Sequence, residues 1–208
     1  MNPNEFPTKG NLIAARNSLA LARQGYDLMD RKRNILVREL MDLIDRASDL
    51  QSKILDTYRA AYAALQTASI QLGMETVEEC ARSVPLETSV QIKTRSIMGV
   101  EIPLVEYNRR DLLLSYGFNG TSSALDEARQ RFVDVKYLTL ELAMTETAAY
   151  RLAANIRRTQ KRSNALKNVT IPQYEELVRT IAEALEEKDR EEFTRLKVIK
   201  RRSEEAAG

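Results

Sequence analysis

The sequence predicts a mainly α protein: a long antiparallel two-helix coiled coil with a short β-hairpin in its central connector. Three observations carry that prediction. Ala, Leu, Glu, Arg and Lys dominate, whereas 208 residues include only seven glycines and five prolines, the composition of long helices. Two extended stretches repeat apolar residues at alternating steps of three and four, the rhythm of paired helices. Between them, a connector over 74–121 contains a segment in which polar and apolar residues alternate singly, the rhythm of a strand.

The first helix is expected over 11–73, after a flexible N-terminus at 1–10. Its seam reads Leu12, Ala15, Leu19, Ala22, Tyr26, Met29, Leu36, Leu40, Leu43, Ala47, Leu50 and Ile54, and Arg33 is the one charged break. A one-residue excess at Ile54 leads to Tyr58, Ala61, Leu65, Ala68 and Leu72, so the supercoil should straighten locally there. Gly73 is a natural stop.

The second helix is expected over 122–200, with a seam of Leu125, Ala128, Phe132, Val135, Leu138, Leu142, Thr145, Ala149, Leu152, Ile156, Thr159, Ser163 and Leu166. Ser122 or Ser123 can accept from the first-turn amides, and Asp126 and Glu127 face the positive end of the helix dipole. Tyr174, Val178, Ile181 and Leu185 resume the spacing beyond Pro172, which predicts a kink rather than an end. The charge-rich end should fray into a flexible tail at 201–208. Neither stripe can be buried by its own helix, and the short connector makes an antiparallel hairpin of helices the natural solution.

Within the connector, "TSVQIKTRSIMGVEIPLVEY" reads as strand, turn, strand near 88–105, with Met98-Gly99 at the turn. Val90 and Ile92 share one face of the first strand, while Val100, Ile102 and Leu104 share one face of the second. A lone two-stranded hairpin is marginal in water. It is expected to lean on the coiled coil or on another protein, the second being favoured, with Pro85 and Pro103 limiting stray edge pairing.

Antiparallel pairing with Leu72 across from residue 122 makes paired residue numbers add to about 194, which sets Arg33 near residue 161. The charged break of the first seam then meets Thr159 and Ser163, consecutive polar positions of the second. Such a layer can fix register; alternatively, Arg33 simply extends its charged end out of a loose seam. The same level carries "RRTQKRSNALKN", residues 157–168, with five cations and no acid, although the whole chain balances 32 basic against 30 acidic residues. Arg31, Lys32 and Arg33 join Arg157, Arg158, Lys161 and Arg162 in a cationic belt. A charge run can be merely a solvated face, or it can bind acidic protein loops in a salt-sensitive way.

Several function classes recede. The chain has no histidine and one cysteine, Cys80, so the commonest general base and thiolate metal clusters are lacking, and no intramolecular disulfide can form. The glycines stand too far apart for a phosphate loop. No catalytic residue, cofactor or metal ligand is therefore expected. A net charge of +2 and a belt without interleaved aromatics argue against nucleic acid. No uncharged apolar run approaches the ~18 residues of a membrane span, so no direct membrane insertion is expected.

Several blocks resemble a known family. "PTKGNLIAARNSLALARQGYDLMDRKRNILVREL" is similar to the opening of the D subunit of vacuolar-type and archaeal-type (V-type/A-type) rotary ATPases. "SIMGVEIP" resembles its central hairpin, "GTSSALDEARQRF" the start of its second long helix, and "KRSNALKNVTIPQYEELVRTI" its C-terminal signature. The short C-terminal tail looks more like bacterial and archaeal members.

The resemblance implies a central rotor shaft, cytoplasmic and peripheral to the membrane, whose termini enter a ring of catalytic and nucleotide-binding subunits. Its other implied partners are the F subunit of the central stalk and the membrane-rotor adaptor subunit. On that basis Arg33, Arg157, Arg158, Lys161 and Arg162 are expected to grip the ring, while Val90, Ile92, Met98, Val100 and Ile102 support the contact with the F subunit. The shaft of the other rotary ATP synthase class carries an α/β domain between its helices, for which this connector is too short. A non-rotary coiled-coil scaffold and a basic RNA-binding hairpin are the rivals from other classes.

Overall fold

The computed structural model describes residues 6–86, 88–107, 115–117 and 119–206. Residues 1–5 of the expected N-terminal segment and 207–208 of the expected tail lie outside them. The elements are helix α1 (Lys9–Leu72), helix α2 (Met74–Arg82), strands β1 (Gln91–Ile97) and β2 (Val100–Glu106), helix α3 (Ser123–Ala165), a π-helical turn (Leu166–Thr170) and helix α4 (Ile171–Ala206). The protein is mainly α, a coiled coil of antiparallel helices with a short β-hairpin.

Local chemistry sets the ends of these elements. Thr8 caps α1, its hydroxyl accepting from the Asn11 amide at 3.2 Å and its carbonyl from Leu12 at 3.0 Å. Gly73 separates α1 from α2 at φ 85°, a left-handed value open to residues without a Cβ. At the start of α3, Ser122 acts through its backbone carbonyl, which accepts from Leu125 at 3.0 Å. Its buried hydroxyl has no partner among the described residues, so Ser122, one of the two serines offered as a cap, does not cap through its side chain.

The chain divides into two units: a terminal unit of Met1–Arg33 with Arg157–Gly208, and a central unit of Asn34–Ile156. In the central unit Tyr62 meets Phe132 edge to face at 5.5 Å, the partner that the predicted pairing assigns it. Arg46 pairs with Glu141, and Gln51 donates to Glu146 at 3.2 Å. Leu36 and Leu152 are both 0% exposed and form the heart of an apolar cluster with Ala148, Val100 and Ile102. A second cluster joins Ala68, Val77 and Leu125, with Leu65, Leu72, Cys80 and Tyr116 packed around it.

Two of these contacts depart from the sequence expectation. At this level of α3 Ala148, not Ala149, is the buried alanine, because β2 lies there and a small side chain lets the strand approach. Helix α2 occupies the start of the connector, for which only the hairpin near 88–105 was expected. Its Val77 fills the second cluster, and its Glu75 and Arg82 sit at the helix ends that favour their charges.

In the terminal unit, Arg23 pairs with Glu175 at 2.6 Å and Lys167 lies 5.9 Å from the centre of the Tyr26 ring. The seam steps from Leu166 to Thr170 to Tyr174 in two successive fours, one residue more than a heptad holds. The π turn takes up that extra residue: Ile171 N–H donates to the Leu166 carbonyl, five residues back. The chain thus stays helical past Pro172. Helix α4 also runs beyond the expected end at 200, to Ala206, threaded by the same-face pairs Glu186–Arg190, Glu191–Arg195 and Lys200–Glu204.

Candidate interaction surfaces

The hairpin is built on a two-residue turn, Met98 at φ 50° and Gly99 at φ 76°. Positive φ at both positions gives the twist that matches paired strands, and for Met98 it is an unusual backbone for a residue with a Cβ. The register places Ile97 opposite Val100, Arg95 opposite Ile102 and Ile92 opposite Val105.

Strand β2 is gripped by its own chain. Val100 and Ile102 are buried against Leu36 and Leu152. Arg151 of α3 donates to the Glu101 carbonyl at 3.1 Å, and the Val105 amide donates to the Met144 sulfur at 3.3 Å. The hairpin therefore leans on the coiled coil, which corrects the expectation that another protein would bear it. Single-residue alternation made the inward face of β2 legible, but nothing in the sequence said which body that face would meet.

Strand β1 is the outward one. Residues Gln91 to Ser96 are exposed, and Ile92 keeps 73% of its surface and Met98 49%. Val90, just before the strand, is half-buried. Of the five hairpin residues singled out in the sequence, Ile92 and Met98 thus face outward, whereas Val100 and Ile102 hold the hairpin from beneath. Lys93, paired with Glu106 at 2.6 Å, and Arg95 put charge on the strand, which discourages unspecific pairing.

The polar level lies in the terminal unit. Thr159 and Ser163 are buried, at 4% and 2% exposure. Beside them Arg33 donates to the Gln160 side-chain oxygen at 2.9 Å and pairs with Asp30 at 2.7 Å, and Gln160 donates onward to Asn164 at 2.8 Å. The Arg33 charge is thus met by a carboxylate and an amide at the edge of the seam. Arg157, Arg158, Lys161 and Arg162 are all exposed. Among the described residues none of the four has an ion-pair partner, in contrast to Arg23. Arg31 is exposed and Lys32 half-buried at the adjoining turn of α1.

A third surface had no counterpart in the sequence reading. An open groove of about 660 Å³ lies between α1, α2, the segment after it and α3, lined by Leu65, Val77, Cys80, Tyr116, Phe132 and Tyr137 among others. Tyr116 donates to Asp126 at 2.6 Å, and Arg129 lies 5.3 Å from the centre of its ring. Burial, and then the hydrogen bond to Asp126, raise the Tyr116 phenol above its usual value of 10.0. Tyr137, which is off the predicted seam, is buried because Tyr107 stacks on it at 4.8 Å. The spacing of Val77, Cys80 and Ala81 was the available signal for this end of the molecule.

Among the described residues no cluster of three cysteine or carboxylate side chains is placed to hold a metal ion. No described helix is long and apolar enough to cross a membrane.

Comparison with known proteins bears on what these surfaces serve. Residues 11–201 match the family described as the D subunit of ATP synthase. The V-type ATP synthase D subunit of Thermotoga neapolitana is 43% identical over 194 residues, covering 93% of this chain and 96% of the relative. The A-type ATP synthase D subunit of Thermococcus kodakarensis is 35% identical over 99% of this chain and 97% of its own length. That of Methanopyrus kandleri is 34% identical over 93% of this chain and 84% of its own length. With nearly the whole sequence aligned, from the first helix through the hairpin to the last, the chain belongs to the ATP synthase D-subunit family.

Proposed function

We propose that the chain is the central-stalk rotor shaft of a V/A-type ATPase, passing torque between the ATP-hydrolysing ring and the ion-translocating rotor in the membrane. It works as a mechanical, non-catalytic part on the cytoplasmic side, peripheral to the membrane, and needs no cofactor of its own. The observation that carries this reading is the cluster of exposed Arg157, Arg158, Lys161 and Arg162, without ion-pair partners among the described residues, on a helix paired through its opposite face. Solvated cations of this kind keep their charge available to acidic or polar loops of the catalytic and nucleotide-binding subunits. Arg33, tied to Gln160 and Asp30, braces the same level from the other helix.

The hairpin serves the F subunit. Ile92 and Met98 supply the exposed apolar contact and Val90 its shoulder, while Val100 and Ile102 fix the hairpin to the shaft so that force on it reaches the helices. The membrane-rotor adaptor subunit completes the chain of parts at the connector. The helices also favour a rotary task, because a paired coil resists twist and its unlike faces meet equivalent ring subunits differently.

Reconstitution tests the proposal. The purified chain should join the hexameric ring and the F subunit in one copy each, and a bead fixed to it should turn when ATP is supplied. A ring that hydrolyses ATP while the attached chain stays still would refute the shaft. Binding to the F subunit that survives Ile92→Ser with Met98→Ser would refute the hairpin contact.

A further inference from the structure

The π turn lies in a stretch of the terminal unit that holds no buried residue. From Arg23 to Arg33 no residue of α1 is buried, and across from it none is buried from Asn164 to Thr180. Ser163, at 2% exposure, and Ile181, at 1%, bracket that gap on the second helix, and Ala22, at 8%, closes it on α1. Gly25 faces the turn with no side chain of its own, and Leu166 Cδ1 would be the nearest atom to a Cβ there, at 3.9 Å. Within the turn the bonds skip an extra residue, and Pro172 offers no N–H to the carbonyls that precede it. Three separate weakenings coincide: few buried contacts, a glycine opposite, and a widened backbone whose bond pattern ends at a proline.

Together they describe a joint. A twisted helix yields first where packing is thinnest and its hydrogen bonds are most open to water, and a π turn can trade five-residue for four-residue bonds without unfolding. We propose that Leu166–Thr170, opposite Gly25, is a torsional joint of the shaft, the place where α3 and α4 take up twist under load. This rests on the rotor reading for the load, but not for the existence of the joint.

The seam suggests the decisive variant. Deleting Asn168 removes the extra residue; with the former Ile171 taking the seam position of Thr170, the steps alternate as three, four and three from Ser163 through Leu166 to the former Tyr174, so the helix can close as continuous α without turning its apolar face away. In the native full-length chain, amides from Lys167 to Ile171 should exchange with deuterium about tenfold faster than those at 157–163 and 174–181. The deletion should abolish that difference and, in the assembled complex stalled without ATP, narrow the angular fluctuation of a bead carried on the shaft. Gly25→Ala, whose Cβ meets Leu166 at ordinary contact distance, should slow the same amides and gives the test a second route if the deletion fails to fold. Even protection across 157–181 in the native chain overturns the joint. So does an angular spread that neither variant narrows. A native complex whose bead never turns with ATP would overturn the rotor reading instead, while the exchange profile of the same chain still decides the joint.

Discussion

The docking of β2 on the coiled coil can be measured by a double-mutant cycle between Ile102 and Leu36. Ile102 is 8% exposed and shares a cluster with Leu36 and Leu152, which have no exposure at all. Ile102→Ala removes three carbons from that contact, a transfer loss of about 2.4 kcal/mol at roughly 0.8 per methylene, with a modest cavity term because the site lies at the rim of the sheet and can settle. Leu36→Ala, deeper in the cluster, should cost about 3 kcal/mol. If the two side chains touch as described, the double variant should lose about 1 kcal/mol less than the sum. Ile92→Ala on the outer strand is the internal control, at under about 0.5 kcal/mol. Urea unfolding followed by circular dichroism gives the stabilities, and hydrogen exchange at β2 shows whether the strand itself has come loose. Additive losses, or an Ile92→Ala variant as unstable as Ile102→Ala, would refute a hairpin seated on its own helices.

Further outcomes follow from the other surfaces. Changing Arg157, Arg158, Lys161 and Arg162 together to Gln should leave the chain's unfolding midpoint nearly unmoved, because exposed charges contribute little to stability, yet lower affinity for the ring about tenfold or more and flatten its salt dependence. Titration calorimetry at two ionic strengths checks both. Arg23→Gln, which breaks a pair exposed on both sides, should cost less than about 1 kcal/mol in the same unfolding assay. Stability should fall as pH rises above 10.0: the Tyr116 phenol is held protonated in the folded state, so that contribution is complete below 10.0 and is lost as pH climbs through the raised value. Tyr116→Phe should remove this slope, as read from unfolding midpoints between about pH 9 and 11.

Much of the fold was legible because one-dimensional periodicity is a faithful record of a two-helix interface. Leu36, Ala61, Leu152 and Ile181 are buried where the heptad placed them, and the hairpin turns at Met98-Gly99, where the alternation on either side placed it. Features set by a third body were not legible. Ala148 displaces Ala149 because a strand comes to rest on α3, and Tyr137 is buried because Tyr107 covers it; periodicity within one helix carries no information about either neighbour. Helix α2 was missed for a related reason, since nine residues give too few turns for a pattern to stand out. The cationic level of the terminal unit was visible as composition, but that Arg33 would find Asp30 and Gln160 depended on side-chain reach, which spacing alone does not encode.

Why a helix pair should keep an arginine and two hydroxyls in its seam is a question of uniqueness rather than stability. A repeating apolar seam can slide by one heptad, about 10.5 Å, and meet a similar seam again, so burial alone discriminates poorly between registers. We propose that Arg33, Thr159 and Ser163 break that degeneracy, because a slide would press the guanidinium against aliphatic side chains and separate it from Gln160. Arg33→Leu should therefore change stability by no more than about 1 kcal/mol, lost hydrogen bonds being offset by apolar burial, while it loosens the register. Spin labels on cysteines placed at Arg16 and Lys161, both exposed, in a Cys80→Ser background, would report the axial offset. The parent should give one narrow distance and Arg33→Leu a second population displaced by about one heptad, or roughly 10 Å. A single narrow distance in Arg33→Leu would show that apolar packing sets the register unaided and that the arginine merely reaches from the seam to solvent.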